Sequence, residues 1–306
     1  MASMTVRAFA KINLSLRVMA KRPDGFHEVQ TILQAVDLSD RLTCQARRGS
    51  FQIRCSAPGL PVDRTNLVWR AAEGLWNAAG RGGDPRDAMI TLEKNIPMQA
   101  GLGGGSSDAA SALVALRRIW KLKVADEDLF AIAARLGSDV PYFFVGGTAL
   151  ALGRGEQVYP LVDLPRWWAV LIVPPFGIRT ADAYAWLDQL RARTAAAAAP
   201  RYLPDTWLGR IAPLVNDLER PAIDRHPAIG RLIAKLTKLG AVMSAMSGSG
   251  STVFGIFTSS SAAGRASRTL REAGARALAV RFVGRRPPHR KSARAGAGLP
   301  VSPSIV

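Results

Sequence analysis

With two cysteines in 306 residues, Cys44 and Cys55, the chain has neither a disulfide framework nor the cysteine spacing of a zinc site. Both thiols sit in apolar-polar alternation, which is the setting of a reduced, packed side chain. Histidine is scarcer than its usual share, so an imidazole with a function has only His27, His226 and His289 to come from. No apolar run approaches the roughly 18 residues of a membrane span, and the start lacks the apolar stretch of a signal peptide. A cytoplasmic protein with no membrane partner is expected. Acidic residues are few: 23 Asp and Glu stand against 41 Lys and Arg, a net charge of +18. Five of the cations lie between Gly284 and Val306, a stretch without acids, and the body remains basic without them. Such a field favours anionic ligands, nucleic acid included, and is equally the mark of an Arg-rich solvated surface.

What is present is a core. Hydrophobic residues make up 48% of the chain and charged ones 21%, and the length points to two packed domains.

The most informative stretch is Pro97-Met98-Gln99-Ala100-Gly101-Leu102-Gly103-Gly104-Gly105-Ser106-Ser107-Asp108. Beyond it Ala109, Leu113, Leu116 and Trp120 recur at three- and four-residue steps, which predicts a helix from about Ser106 with one buried face. The first N–H groups of a helix have no intrahelical partners, and glycines remove the Cβ atoms that would hold a phosphate away. The stretch therefore reads as a polyphosphate cradle or, more plainly, as a glycine turn capped by Ser106 or Ser107. It lacks the Gly-Lys-Ser/Thr ending of a P-loop, and no dinucleotide fingerprint with its acidic partner accompanies it.

From Val6 to Val18 every even position is apolar, a strand with one face in a core. Lys11 and Asn13 project together from the other face, either as part of a wet sheet surface or as neighbours in a site. Pro23-Asp24-Gly25 makes a turn that delivers Phe26-His27 to a second strand, 29–38. Stretches 42–48 and 51–56 read as a hairpin across Gly49-Ser50, Asn66 caps a helix, and Ala88, Ile90 and Leu92 alternate as a strand. Asp126 caps a helix that Gly137 ends, and Asp139 follows in the loop, suited to partial burial or to capping. Thr148 to Leu152 is a strand between glycines. Past Pro160 the order β-α-(insert)-α-β-β-α-β is that of a ferredoxin-like split βαβ, with Ala195 to Pro200 a low-complexity spacer. The stretch after Gly284 reads as disordered.

Ala10-Lys11-Ile12-Asn13-Leu14, Pro97 to Ala110, and Met246-Ser247-Gly248-Ser249-Gly250-Ser251-Thr252 resemble, in order, the three signature motifs of the GHMP small-molecule kinases. Lys21-Arg22-Pro23-Asp24-Gly25-Phe26-His27, Gly137-Ser138-Asp139-Val140-Pro141 and Asn216-Asp217-Leu218-Glu219 are similar, more narrowly, to the 4-diphosphocytidyl-2-C-methylerythritol kinases of the non-mevalonate isoprenoid pathway. The resemblance runs from about Thr5 to Val283. It implies an α+β, two-domain architecture: a ribosomal-protein-like N-terminal domain over 1–160, a ferredoxin-like C-terminal domain over 161–283, a basic tail over 284–306, and an active site between the domains. It implies ATP as phosphoryl donor with Mg2+, whose ligands it does not assign, and a small cytidine-diphosphate substrate phosphorylated on its 2-hydroxyl. By motif, Asp139 is the catalytic base and Lys11 its cationic partner; residues Pro97 to Ser107 wrap the phosphates, and Asn66 and Lys94 belong to the nucleotide pocket. Phe26 and His27 would hold the cytosine, with Asn13 near the reacting end and Thr180 contributing from the second domain. Phe26 stands where many members have Tyr, and Arg179 where a small polar residue is expected. The rival readings are a GHMP kinase for another alcohol, of mevalonate or homoserine type, and a nucleic-acid-binding protein on the same fold.

Overall fold

The alternation at the start becomes β1 (Ser3–Lys21), which buries Ala8, Ala10, Ile12, Leu14, Leu16 and Val18. The structure, a computed structural model, describes residues 2–194 and 215–285. β1 runs antiparallel to β2 (His27–Ser50), one long strand where the sequence suggested two. β2 is the spine of the first sheet: β4 (Arg86–Glu93) pairs with its later half and β5 (Thr148–Leu152) with its earlier half, and β6 (Gln157–Pro160) adds outside β5. The expected hairpin across Gly49-Ser50 does not form. β4 occupies the edge of β2 that the returning strand would need, so β3 (Gln52–Cys55) pairs parallel to β4 instead.

One face of this sheet carries α1 (Leu67–Ala78), α2 (Gly104–Ile119) and α3 (Asp126–Leu136), where Ala125 rather than Asp126 is the N-cap and Asp126 adds its charge to the first turn. Their apolar stripes meet in a core containing Leu75, Ile90, Leu113, Leu116 and Ile132, with Trp76 and Trp120 edge to face at 5.0 Å. A single turn, α4 (Tyr142–Val145), follows.

The second sheet has the antiparallel order β10-β7-β9-β8, from β7 (Trp168–Ile172), β8 (Met243–Met246), β9 (Val253–Phe257) and β10 (Ala277–Arg281). Helices α5 (Thr180–Thr194), α6 (Glu219–Arg225), α7 (Ala228–Lys238) and α8 (Ser260–Glu272) complete a ferredoxin-like unit with an insert. The sheet is apolar on both faces, which decides how the halves meet. Val170, Ile172, Val253 and Phe257 pack with the helices, whereas Ala169, Leu171, Phe254 and Ile256 share a core with Ala10, Ile12, Leu14 and Val36 of the first sheet. A bridge from Val36 to Phe282 and the Arg281 N–H donated to Asp37 at 2.8 Å fix their relative position. At the end of the described chain the Arg285 N–H donates to Asp163 at 2.8 Å. The Ala195–Pro200 spacer and the tail beyond Arg285 lie outside the described residues.

Candidate active site

β4 delivers the chain through residues 93–96 into the glycine loop, and α2 begins at Gly104, two residues before the predicted start. Gly103 is the N-cap, left-handed at φ +71° and without a side chain to cap with, so neither serine caps the helix. A Cβ on Gly103 would lie 3.0 Å from Lys11 Cγ, and one on Gly101 (φ +73°) would lie 2.3 Å from the Ser247 carbonyl oxygen. The loop is thus pressed between β1 and the β8–β9 turn, where side chains would not fit. The leading amides of α2 have no intrahelical partners and face a cleft of about 940 Å³. Pro97 to Ser106 line it continuously, whereas Ser107 is buried behind them.

Lys11 and Asn13 are both buried, Lys11 to 3% exposure, and this overturns the wet-face reading of the pair. The lysine ammonium donates to Asn13 Oδ1 at 2.6 Å and to the Gly101 carbonyl at 3.1 Å, and it lies 3.3 Å from Asp139 Oδ2. Asn13 is held in turn. Its amide nitrogen donates to Thr31 Oγ1 at 2.8 Å, and its backbone N–H donates to Ser247 Oγ at 3.2 Å. Asp139 keeps 36% of its side chain exposed on the cleft wall. A fixed cation and a half-open carboxylate therefore stand together in the cleft that the glycine loop lines.

Asn66 and Lys94 line the same cleft, but their polar groups are already engaged. Asn66 Oδ1 accepts the Val68 N–H as the cap of α1, and its nitrogen donates to the Pro61 carbonyl. Lys94 is clamped between Asp40 and Asp108, 2.6 Å from Asp108 Oδ2. Asp40 also accepts the N–H groups of Asn95 and Ile96, tying the loop entrance to β2. Burial pushes Asp108 up to about 7, with the neighbouring Asp40 charge adding to it and Lys94 opposing it. Burial alone would lower Lys94, yet the two carboxylates outweigh it and its net displacement is upward. Among the described residues Asp108 Oδ1 has no hydrogen-bond partner.

At the other end, His27 is buried with its Nε2 2.8 Å from Asp188 Oδ1 and its ring 5.1 Å from Tyr184. Phe26 is 53% exposed. Neither lies on the wall of the cleft, which is formed there by Tyr184 and Arg154, each packed on one of them. Thr180 reaches Ser249 across α5 and the β8–β9 turn, their hydroxyls 3.2 Å apart. Arg179 stays on the rim, paired with Asp182 at 3.3 Å.

Sequence reasoning assigned no task to Asp40, Asp108, Tyr184 or Asp188. Asp40 stands among other polar residues and Asp108 only as one letter of the glycine motif, so neither carries a signal of its own; Tyr184 and Asp188 carry no local signal either, because their partner is His27 in the first sheet. The Asn216–Glu219 motif proves structural. Asn216 donates to the Met246 and Gly248 carbonyls, both at 2.8 Å, and Glu219 accepts the Met246 N–H at 2.7 Å, so the motif holds the turn that covers Lys11. Burial raises Glu219, with the Met246 N–H opposing. No cluster of three or more His, Cys, Asp or Glu occurs among the described residues, and no helix there is long and apolar enough to cross a membrane.

Two segments match family models: the GHMP kinases N-terminal domain over residues 66–147 and the GHMP kinases C-terminal domain over residues 203–276. The 4-diphosphocytidyl-2-C-methyl-D-erythritol kinase of Pelotomaculum thermopropionicum is 45% identical over 258 residues, covering 82% of this chain and 88% of that protein. The kinase of the same name from Geobacter sulfurreducens is 38% identical over 284 residues, 92% of this chain and 100% of the relative. A crystal structure of 4-(cytidine 5'-diphospho)-2C-methyl-D-erythritol kinase superimposes with a TM-score of 0.76 at 36% identity, covering 92% of this chain and 100% of that one. A homoserine kinase from Cytophaga hutchinsonii shares the fold, with a TM-score of 0.65 at 18% identity over 92% of this chain and 95% of its own.

Proposed function

The chain belongs to the 4-diphosphocytidyl-2-C-methyl-D-erythritol kinase family of the GHMP kinases, and on that premise we propose how its cleft carries out the reaction. The protein is a kinase that transfers the γ-phosphoryl group of ATP to the 2-hydroxyl of 4-diphosphocytidyl-2-C-methyl-D-erythritol, a step of non-mevalonate isoprenoid precursor biosynthesis.

The observation that carries the mechanism is the Lys11–Asp139 pair standing beside the open amides of α2. Phosphates of ATP lie against the amides of residues 103–106, where the helix dipole and the missing side chains favour them. Phosphoryl transfer asks mainly for alignment and for stabilisation of the transferring oxygens. Asp139 accepts the proton of the 2-hydroxyl as the bond to phosphorus forms. Lys11, 3.3 Å away, positions that carboxylate and stabilises the developing alkoxide. Asn13 shares the substrate with Lys11 on the same strand, and Thr180 with Ser249 closes the site from the second domain. A magnesium ion bound with the triphosphate would supply further charge to neutralise the transferring oxygens beside the α2 amides. At the far end Phe26 and His27 read the cytosine, with Asp188 fixing the imidazole. The two unpaired cysteines suit a reducing cytoplasm.

Incubation with Mg-ATP and the cytidine compound, with mevalonate and homoserine in parallel, tests this reading through ADP release. Turnover with the cytidine compound alone supports it, and turnover only with another alcohol overturns the cytosine site.

A further inference from the structure

Four cationic side chains line the cleft, and three of them are committed elsewhere. Lys11 serves Asp139, Lys94 is held by two buried carboxylates, and Arg179 is paired with Asp182 on the rim. Arg154 differs. Its guanidinium carbon lies 5.1 Å over the Phe26 ring, and its ion pair with Glu156, at 3.7 Å, is too long for a hydrogen bond. Among the described residues its guanidinium donates no hydrogen bond, and its charged neighbours are Glu156 and Asp24, so a cleft-lining residue keeps its planar fork of N–H groups available for a ligand.

Its position is built in rather than accidental. Arg154 sits in the β5–β6 turn between Gly153 (φ +72°) and Gly155 (φ +112°). That turn is bolted to the start of β2: the Val29 N–H donates to the Gly153 carbonyl at 2.7 Å, and the Gly153 N–H donates to Glu28 Oε1 at 3.1 Å. Phe26 and His27 lie immediately before those residues. The turn that carries Arg154 is therefore held at a fixed place relative to the base-reading pair, and its guanidinium rests on Phe26 in the same cleft that Lys11 lines.

We propose that Arg154 binds the diphosphate of the cytidine substrate, gripping its oxygens with the guanidinium fork while the aromatic ring of Phe26 supports the guanidinium from behind. This rests on the reading of Phe26 and His27 as the cytosine site. A nucleotide read at its base carries its 5′-diphosphate a few ångströms along the cleft, where two or more negative charges need a partner, and Arg is the side chain suited to bidentate phosphate contacts. The substrate class this selects is a nucleoside diphosphate conjugate in preference to a nucleoside or a monophosphate.

The test uses the full-length protein, with cytidine, CMP and CDP as competitive inhibitors against the complete substrate. Wild type should be inhibited best by CDP and least by cytidine. Arg154→Gln should raise the KM for the cytidine substrate and the inhibition constant of CDP by roughly tenfold to a hundredfold, leave the cytidine constant and the KM for ATP within about twofold, and be partly rescued by Arg154→Lys. An unchanged CDP constant, or equal losses for cytidine and CDP, would overturn the assignment, the second outcome leaving Arg154 as a support of Phe26 only. Failure of the cytosine site itself reads differently: His27→Ala would then leave the cytidine constant unchanged.

Discussion

Lys11 Nζ and Asp139 Oδ2 lie 3.3 Å apart, the first almost wholly buried and the second open to the cleft. In the proposed mechanism, a cation held by protein and a carboxylate with a free approach divide the work of a proton transfer between them. Asp139→Asn should lower kcat by about two to four orders of magnitude, with ATP affinity within a few-fold of wild type. Rapid-quench turnover and equilibrium nucleotide binding check the two halves; near-normal turnover would remove Asp139 from its role.

Lys11→Ala should remove both activity and stability. It strands Asn13 Oδ1 without its donor, whereas the Gly101 carbonyl keeps the Ser247 hydroxyl at 3.0 Å, a cost of about 1–3 kcal/mol for such a buried acceptor. Urea denaturation alongside turnover separates the effects. A variant as stable as wild type would contradict the packing described for this side chain.

Gly101→Ala should raise the KM for ATP. The added Cβ would have to lie 2.3 Å from the Ser247 carbonyl oxygen at a φ of +73°, so the loop and the β8–β9 turn must part. Steady-state kinetics with varied ATP tests this, and an unchanged KM would show that the loop adjusts without cost.

His27→Ala should raise the KM for the cytidine substrate while leaving the KM for ATP unchanged, because His27 packs behind Tyr184 of the cleft wall and pairs with Asp188 of α5 rather than with the glycine loop. Equal changes in both constants would mean a general disturbance of the fold.

Asp108 makes stability depend on pH. Burial raises it from 3.8 to about 7 in the folded protein. A carboxyl with a raised folded value contributes its stability in full below its unfolded value and loses it as the pH climbs through the folded one. Asp108→Asn lacks that loss. Its stability relative to wild type should therefore improve between pH 5 and pH 8, measured by urea denaturation at each pH; the same difference at both would contradict the assignment.

How much of this was legible in the sequence varied with the range of the interactions involved. The strand Thr148–Leu152 was readable because glycines bracket it, and the ferredoxin-like order because each element carries its own period. The pairing of Lys11 with Asn13 followed from alternation, but their burial did not. The covering groups, Gly101 and Ser247, are 90 residues from Lys11 and 234 from Asn13, and no local pattern announces them. The pairing of β3 failed for the same reason, since β4, the strand that displaces it, comes later in the chain. The helix start was placed late because glycine is a poor helix former, whereas here close packing of Gly104 against Ile96, 3.0 Å from a Cβ, leaves room for little else. Asp108 was visible only as a motif letter; its meaning depends on Lys94 and Asp40.

The most direct measurement is the structure of the product. After incubation with ATP and 4-diphosphocytidyl-2-C-methyl-D-erythritol, mass spectrometry and phosphorus-carbon coupling should show one added phosphate on the 2-oxygen, formed by wild type and lost with Asp139→Asn. A phosphate on another hydroxyl, or no phosphorylated cytidine compound from an active preparation, would contradict the account.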